Sequence, residues 1–244
     1  KLVAKGATAA ADVAEVARLS DVISIVVRDD DQVRDVVGQI LATPKPGQVL
    51  AIHSTIRAST AVDLAADASP LGVHVVDAPI SGGAMGASAG TLAVMLGGTD
   101  EAVELATPVL SHFASKISHL GPVGAGTKAK LARNLMHFVA FTAAGEASRL
   151  AEAAGIAVDE LGAIVRHTDA VTGGPGAIML RDTAAPLSKD DGWYSIMENV
   201  ASLGTKDLTQ ALELAAELGV DTPLAAMALE RLAGELGLTP RSEP

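Results

Sequence analysis

The stretch GPVGAGTKAKLARNLMHFVAFTAAGEASRLAEAA, residues 121–154, separates two kinds of sequence. Its first six residues hold three glycines and a proline. From Thr127 to Ala154 there is no proline and only one glycine, and apolar residues recur at helical spacing. That predicts one helix of about 28 residues, roughly 42 Å long at 1.5 Å per residue, beyond the ordinary globular length. Towards the N-terminus, apolar runs alternate with helical patterns. Val22–Val27 (VISIVV) reads as a strand buried on both faces. A helix follows from Asp29 to Leu41, with Val33, Val36, Val37, Ile40 and Leu41 on one face. Val49–Ile52 is a strand running into His53-Ser54-Thr55. A helix over Ser59–Ala66 leads to a strand over Val73–Val76, which runs into Asp77-Ala78-Pro79. A strand over Leu92–Leu96, a helix over Asp100–Ala114 and a short strand over Lys116–His119 complete the series. Strand-helix-strand alternation predicts a largely parallel sheet with helices on its faces. Beyond residue 154 the pattern is helical: Val158–His167, a loop over Thr172–Gly176, then Thr205–Leu218 and Pro223–Leu236. The division expected is a sheet domain over 1–122 and a helical domain over 123–244 that opens with the long helix. The tail Thr239–Pro244 is expected to fray.

Bulk composition narrows the chemistry. Of 244 residues, 49% are hydrophobic but only 2% aromatic, so the core must be built from Ala, Val, Leu and Ile. A formal net charge of −11 repels phosphate backbones and disfavours nucleic acid as a partner. With no cysteine, disulfides, thiolate nucleophiles and Cys-ligated zinc are excluded. The six histidines are scattered without ligand spacing, so no metal is implied. No apolar run reaches the roughly 18 residues of a membrane span, and no secretory pattern opens the chain; a cytoplasmic location and no membrane partner are expected. The opening KLVAKGATAAADVAEVA begins at Lys1 rather than Met and reads like the middle of a domain, so a preceding segment is expected.

Two motifs and a later pair carry chemistry. The first is Asp77-Ala78-Pro79-Ile80-Ser81-Gly82-Gly83, followed by Gly86, Gly90, Thr91 and Leu92. A strand ends, Pro79 fixes the exit, and paired glycines let the backbone turn tightly. Successive N–H groups with the Ser81 hydroxyl suit an anion such as a carboxylate. The second is Gly124-x-Gly126-x-x-x-Lys130-x-x-x-Asn134. Lys130 and Asn134 are spaced i, i+4 and project from one helical face. Burial of that face would lower the lysine pKa into a range useful for proton transfer. Lys128 lies about 200° round the helix and faces elsewhere. The third is Lys206-Asp207-Leu208, read as the start of a later helix.

Each piece alone is common. Their order and spacing, with Ser-Gly-Gly preceding Gly-x-Gly-x-x-x-Lys-x-x-x-Asn by about forty residues and Lys-Asp-Leu closing the series, resemble the β-hydroxyacid dehydrogenase family. That family includes 3-hydroxyisobutyrate dehydrogenase and tartronate semialdehyde reductase and lies within the 6-phosphogluconate dehydrogenase superfamily. The resemblance runs from Lys1 to about Leu236. It implies a Rossmann-like doubly wound α/β domain followed by an all-helical one. It implies an NAD(P)-dependent oxidoreductase that moves hydride between nicotinamide and a small 3-hydroxy acid or semialdehyde. By the same resemblance Lys130 is the catalytic proton donor and acceptor, and Asn134 contacts substrate. Ser81, Gly82 and Gly83 hold the substrate carboxylate, in a cleft expected between the two domains. Val27, Arg28, Thr55 and Lys206 contact the cofactor, and Arg28 stands where the family usually has proline. A homodimer or larger homo-oligomer is implied as well.

One departure is an absence. The family opens with a strand, Gly-x-Gly-x-x-Gly and a helix, whose N-terminus takes the cofactor pyrophosphate. No such segment stands in these 244 residues, nor does the residue that distinguishes NAD from NADP. A chain beginning at Lys1 is therefore expected to bind neither cofactor tightly, and to expose a flank of its sheet around Val22–Val27. Two alternatives stand beside the dehydrogenase reading: a cofactor-less paralogue serving as a dimeric scaffold, and an imine-reductase-like enzyme, against which Lys130 argues.

Overall fold

The structure, a computed structural model, describes residues 2–238. Two compact units divide the chain, Lys1–Leu135 and Met136–Pro244. The expected fraying of Thr239–Pro244 lies outside the described residues.

The first unit is α/β. Its elements run α1 (Val13–Leu19), β1 (Val22–Ile25), α2 (Asp30–Leu41), β2 (Val49–Ile52), α3 (Ala58–Ala68), β3 (His74–Asp77), β4 (Ile80–Ser81), α4 (Gly83–Ala89), β5 (Leu92–Leu96), α5 (Asp100–Leu110) and β6 (Ala114–His119). They end at α6 (Ala125–Ala153), which continues into the second unit. Strands β1, β2 and β3 are parallel in that order. In a second three-stranded sheet β5 pairs antiparallel with β4 and parallel with β6. An antiparallel bridge between Asp77 and Gly97 links the two. Strand β2 shows why helices must cover both sides: Leu50 and Ile52 enter one apolar cluster with Val33, Val37 and Ile40 of α2. Val49 and Ala51 enter another with Ala102, Ala106 and Leu110 of α5. Every residue of β2 is buried, the signature of a central parallel strand.

Three expectations are corrected here. Strand β1 is buried on one face only: Ile23 and Ile25 are inside, while Ser24 and Val26 are exposed. It lies at the end of its sheet, so the β-branched run does not have two covered faces. Helix α5 stops at Leu110, and Ala114 already belongs to β6. The segment after Ser81, read as a loop, contains the helical turns of α4, with Gly82 at φ +130° and Gly83 at φ +61°.

In the second unit α6 is followed by α7 (Val158–Thr172), α8 (Tyr194–Glu217) and α9 (Pro223–Glu235). Helix α7 runs five residues past the expected His167. Helix α8 begins eleven residues before the expected Thr205, so Lys206 sits in its interior rather than at its start. Gly204 concealed this. It reads as a helix breaker, but a methyl there would stand 2.7 Å from Leu232 Cδ2, so its missing side chain lets α9 pack close. Glu146, only 6% exposed, accepts from the amides of Leu224 at 2.8 Å and Ala225 at 3.0 Å. These are the first free N–H groups of α9 after Pro223, and a carboxylate there satisfies both and opposes the helix dipole.

Candidate active site

The site begins with Asp77 at the end of β3. Its side chain is fully buried. One carboxylate oxygen accepts from Gly124 N at 2.7 Å and the other from Thr127 N at 2.6 Å. Asp77 thus caps the N-terminus of α6 from a neighbouring strand. Burial pushes the carboxyl pKa up, and the amide hydrogen bonds pull against that shift.

The glycines of the second motif follow from this contact. Gly124 needs its positive φ of +94°. Gly126 has no room for a side chain: a methyl would stand 2.7 Å from the Asp77 carbonyl oxygen and closer still to that of Met95. Gly97, on the facing strand end, would drive a methyl into the Asp77 carboxylate. Helix α6 therefore starts directly on the backbone of β3 and β5.

Lys130, one turn further along α6, is 9% exposed, and its ammonium donates to the carbonyl of Ile80 at 2.7 Å. Ile80 immediately precedes Ser81-Gly82-Gly83, so the structure brings the two motifs together. Desolvation lowers the Lys130 pKa, and the neighbouring Arg133 guanidinium lowers it further. Lys128 is exposed. Asn134, half-buried, accepts from Arg133 through Oδ1 at 3.3 Å. That leaves the Asn134 amide N–H groups without a partner among the described residues, on a residue one helical turn from Lys130. Ser81 is half-buried, and Gly82 and Gly83 are exposed.

The residues assigned to cofactor lie at the carboxyl ends of β1 and β2, where open α/β sheets bind ligands. Thr55 is exposed just beyond β2, Val27 is half-buried just beyond β1, and Arg28 is exposed. Ser54 ties the two ends together: it accepts from Val27 N at 3.0 Å and donates to Val27 O at 2.6 Å. His53 does the same one residue earlier. Its Nδ1 meets the Ala78 carbonyl at 2.7 Å, and a carbonyl can only accept, so Nδ1 carries the proton. Nε2 then accepts from the Ser24 hydroxyl at 3.1 Å. Burial pushes the His53 pKa down, which keeps this neutral arrangement. These residues fit one side of an extended dinucleotide. Lys206 lies in the second unit, exposed and paired with Asp207 at 3.0 Å.

Sequence reasoning passed over Asp77 as a cap, Ser54, His53, Gly97 and Arg133. The one signal present was an acid closing a β-branched strand, Val75-Val76-Asp77, because a carboxylate at such a place must find partners.

A parallel sheet with a polar carboxyl edge, beside a helix presenting a desolvated lysine, is an arrangement that suits a nucleotide-dependent oxidoreductase of the α/β class. Comparisons agree. The family model for the NAD-binding domain of 6-phosphogluconate dehydrogenase matches residues 1–121. That for the NAD-binding domain of NADP-dependent 3-hydroxyisobutyrate dehydrogenase matches 124–235. An uncharacterized oxidoreductase of Mycobacterium tuberculosis is 52% identical over 98% of this chain and 82% of its own length. An NAD-dependent L-serine dehydrogenase of Pseudomonas aeruginosa is 33% identical over 93% of this chain and 77% of its own. The crystal structure of an oxidoreductase from Mycobacterium avium matches with a TM-score of 0.94 at 50% identity, covering 97% of this chain and 85% of that one. The chain belongs to the β-hydroxyacid dehydrogenase family, and its cofactor is NAD or NADP. Among the described residues no helix is long and apolar enough to cross a membrane.

Proposed function

We propose that the protein interconverts a small 3-hydroxy acid and the corresponding semialdehyde, with Lys130 as the proton acceptor in oxidation and the donor in reduction. The observation that carries this reading is Lys130 itself, a desolvated ammonium held 2.7 Å from the carbonyl that leads into Ser81-Gly82-Gly83. A lysine with a lowered pKa gives up and regains its proton at lower cost than a solvated one. Ser81, Gly82 and Gly83 take the substrate carboxylate, which leaves the reacting hydroxyl towards the lysine. Asn134 donates its amide to a substrate oxygen. Val27, Arg28, Thr55 and Lys206 would hold the dinucleotide, whose nicotinamide supplies the hydride chemistry when bound. The Asp77 cap fixes the start of α6 so that Lys130 is in place before substrate arrives. Self-association through the second unit belongs to the same reading, since Phe138, Phe141 and Val171 are 59%, 59% and 78% exposed there.

Replacing Lys130 by Met tests the assignment. Turnover should fall by about a hundredfold or more, the usual contribution of a general acid or base, with circular dichroism unchanged. A fall of less than about tenfold would remove Lys130 from the role. Comparing a 3-hydroxy acid with its neutral amide tests the carboxylate site: equal kcat/KM values for the two would refute it.

A further inference from the structure

Next to Lys130, helix α6 carries a further cation, Arg133, that the proposed chemistry does not use. Arg133 lies three residues after Lys130, so the two are neighbours on one helical face. Arg133 is half-buried. Its described hydrogen bond is to a neutral partner, Asn134 Oδ1 at 3.3 Å, and no carboxylate of the described residues forms an ion pair with it. Among the described residues Lys130 likewise meets only the neutral carbonyl of Ile80. No carboxylate among the described residues compensates either cation, and their mutual repulsion contributes to the depressed Lys130 pKa. Such an arrangement is unusual for a chain with 29 acidic against 18 basic residues. A fully exposed arginine would hold its charge in water at little cost; this one is half-buried and stands one helical turn from another cation. A single hydrogen bond to Asn134 leaves four of its five N–H donors for a ligand, in the planar fork that matches a carboxylate.

We propose that Arg133 is a specificity-determining residue that binds a second carboxylate of the substrate, so that the preferred substrates are dicarboxylates. The proposal rests on the substrate site given above, with Ser81-Gly82-Gly83 taking one carboxylate and Arg133 the other. A dianion offsets both Lys130 and Arg133; a monoanion leaves the guanidinium uncompensated.

The test is binding, so that it does not depend on turnover. Glutarate and valerate differ in having a carboxylate or a methyl at the far end. Calorimetric titration of the full chain should give glutarate the tighter binding by about tenfold to a hundredfold, the range of a charge-assisted hydrogen bond. Arg133→Gln should bring the two ligands to within about threefold, and Arg133→Lys, which keeps the charge but loses the fork, should fall between. Lys128→Gln, at an exposed position of the same helix, should keep the wild-type ratio. A wild-type ratio below about threefold overturns the proposal, whether or not the variants fold. A preference for glutarate that survives in Arg133→Gln overturns it too, because another group is then reading the second charge. Loss of turnover in Lys130→Met is scored separately, so the catalytic reading and this one fail by different results.

Discussion

Gly126→Ala is the substitution with the largest worked consequence. An added methyl would stand 2.7 Å from the Asp77 carbonyl oxygen, against the 3.4 Å at which ordinary contact begins. The obstacle is backbone, with no side-chain end that can swing aside. The Met95 carbonyl oxygen is nearer still, so the first turn of α6 must retreat by at least about 0.7 Å, the difference between those distances. The Asp77 bonds of 2.7 and 2.6 Å would then lengthen to about 3.4 and 3.3 Å, where little of their strength remains. Overpacking costs about 1–3 kcal/mol, and weakening a buried carboxylate's bonds adds about 1–3 kcal/mol. A stability loss of about 2–6 kcal/mol is expected in urea titration. Activity should fall more steeply than binding, by about a hundredfold in kcat, because Lys130 rides on the displaced turn. Gly145→Ala is the matched control in the same helix. Its methyl would meet only Arg149 Nη1 at 3.8 Å, so it should be stabilising by up to about 1 kcal/mol. A Gly126→Ala protein that unfolds within about 0.5 kcal/mol of the parent would refute the close-approach argument.

Two further outcomes follow. The folded Lys130 pKa lies below the ordinary value of about 10.4, so oxidation, which in the proposed mechanism needs the neutral amine, should rise with pH through an apparent pKa below that value. Removing the repulsion in Arg133→Gln should move this limb to higher pH, and a limb that stays put or moves down would disprove the coupling. By linkage, a lowered lysine pKa destabilises the fold where the amine is charged. Lys130→Met should accordingly gain most stability below the folded pKa and lose that advantage by about pH 10.4. Glu146→Ala removes the carboxylate that caps α9 and should cost about 2 kcal/mol by thermal unfolding; a variant within about 0.5 kcal/mol of the parent would mean that solvent caps the helix as well.

The long apolar periodicities were the legible part. Strands β2 and β5 and helix α2 stand within a residue of where the spacing puts them, because burial on a regular element writes a regular pattern. Legibility failed where one residue type served two purposes. Gly204 reads as a break but is a close-packing residue inside α8. Gly82 and Gly83 read as an open loop but lead straight into α4. Ser24 and Val26 sit in a β-branched run whose edge position, and so its uncovered face, is set by strand order rather than by local sequence. At the site, Lys130 and Asn134 were legible through their i, i+4 spacing. Arg133, one residue away from Asn134, carried no motif. Its significance lies in what it does not pair with, which only coordinates can give. Asp77 was visible, but the amides it binds are contributed from 47 and 50 residues away.

That separation has a kinetic meaning. Closing a loop of such length is entropically costly and comes late in folding. Until residues 124–127 arrive, the end of β3 can bury its carboxylate only at the expense of an unsatisfied charge. Completion of the sheet and nucleation of the long helix are thereby one cooperative event. The amide protons of Gly124 and Thr127 should exchange with solvent only as slowly as the whole first unit opens, well behind those of the exposed turns around them. On the proposed role of Lys130, its position would then be inherited from the folding transition itself, with no later adjustment needed to bring the lysine into place.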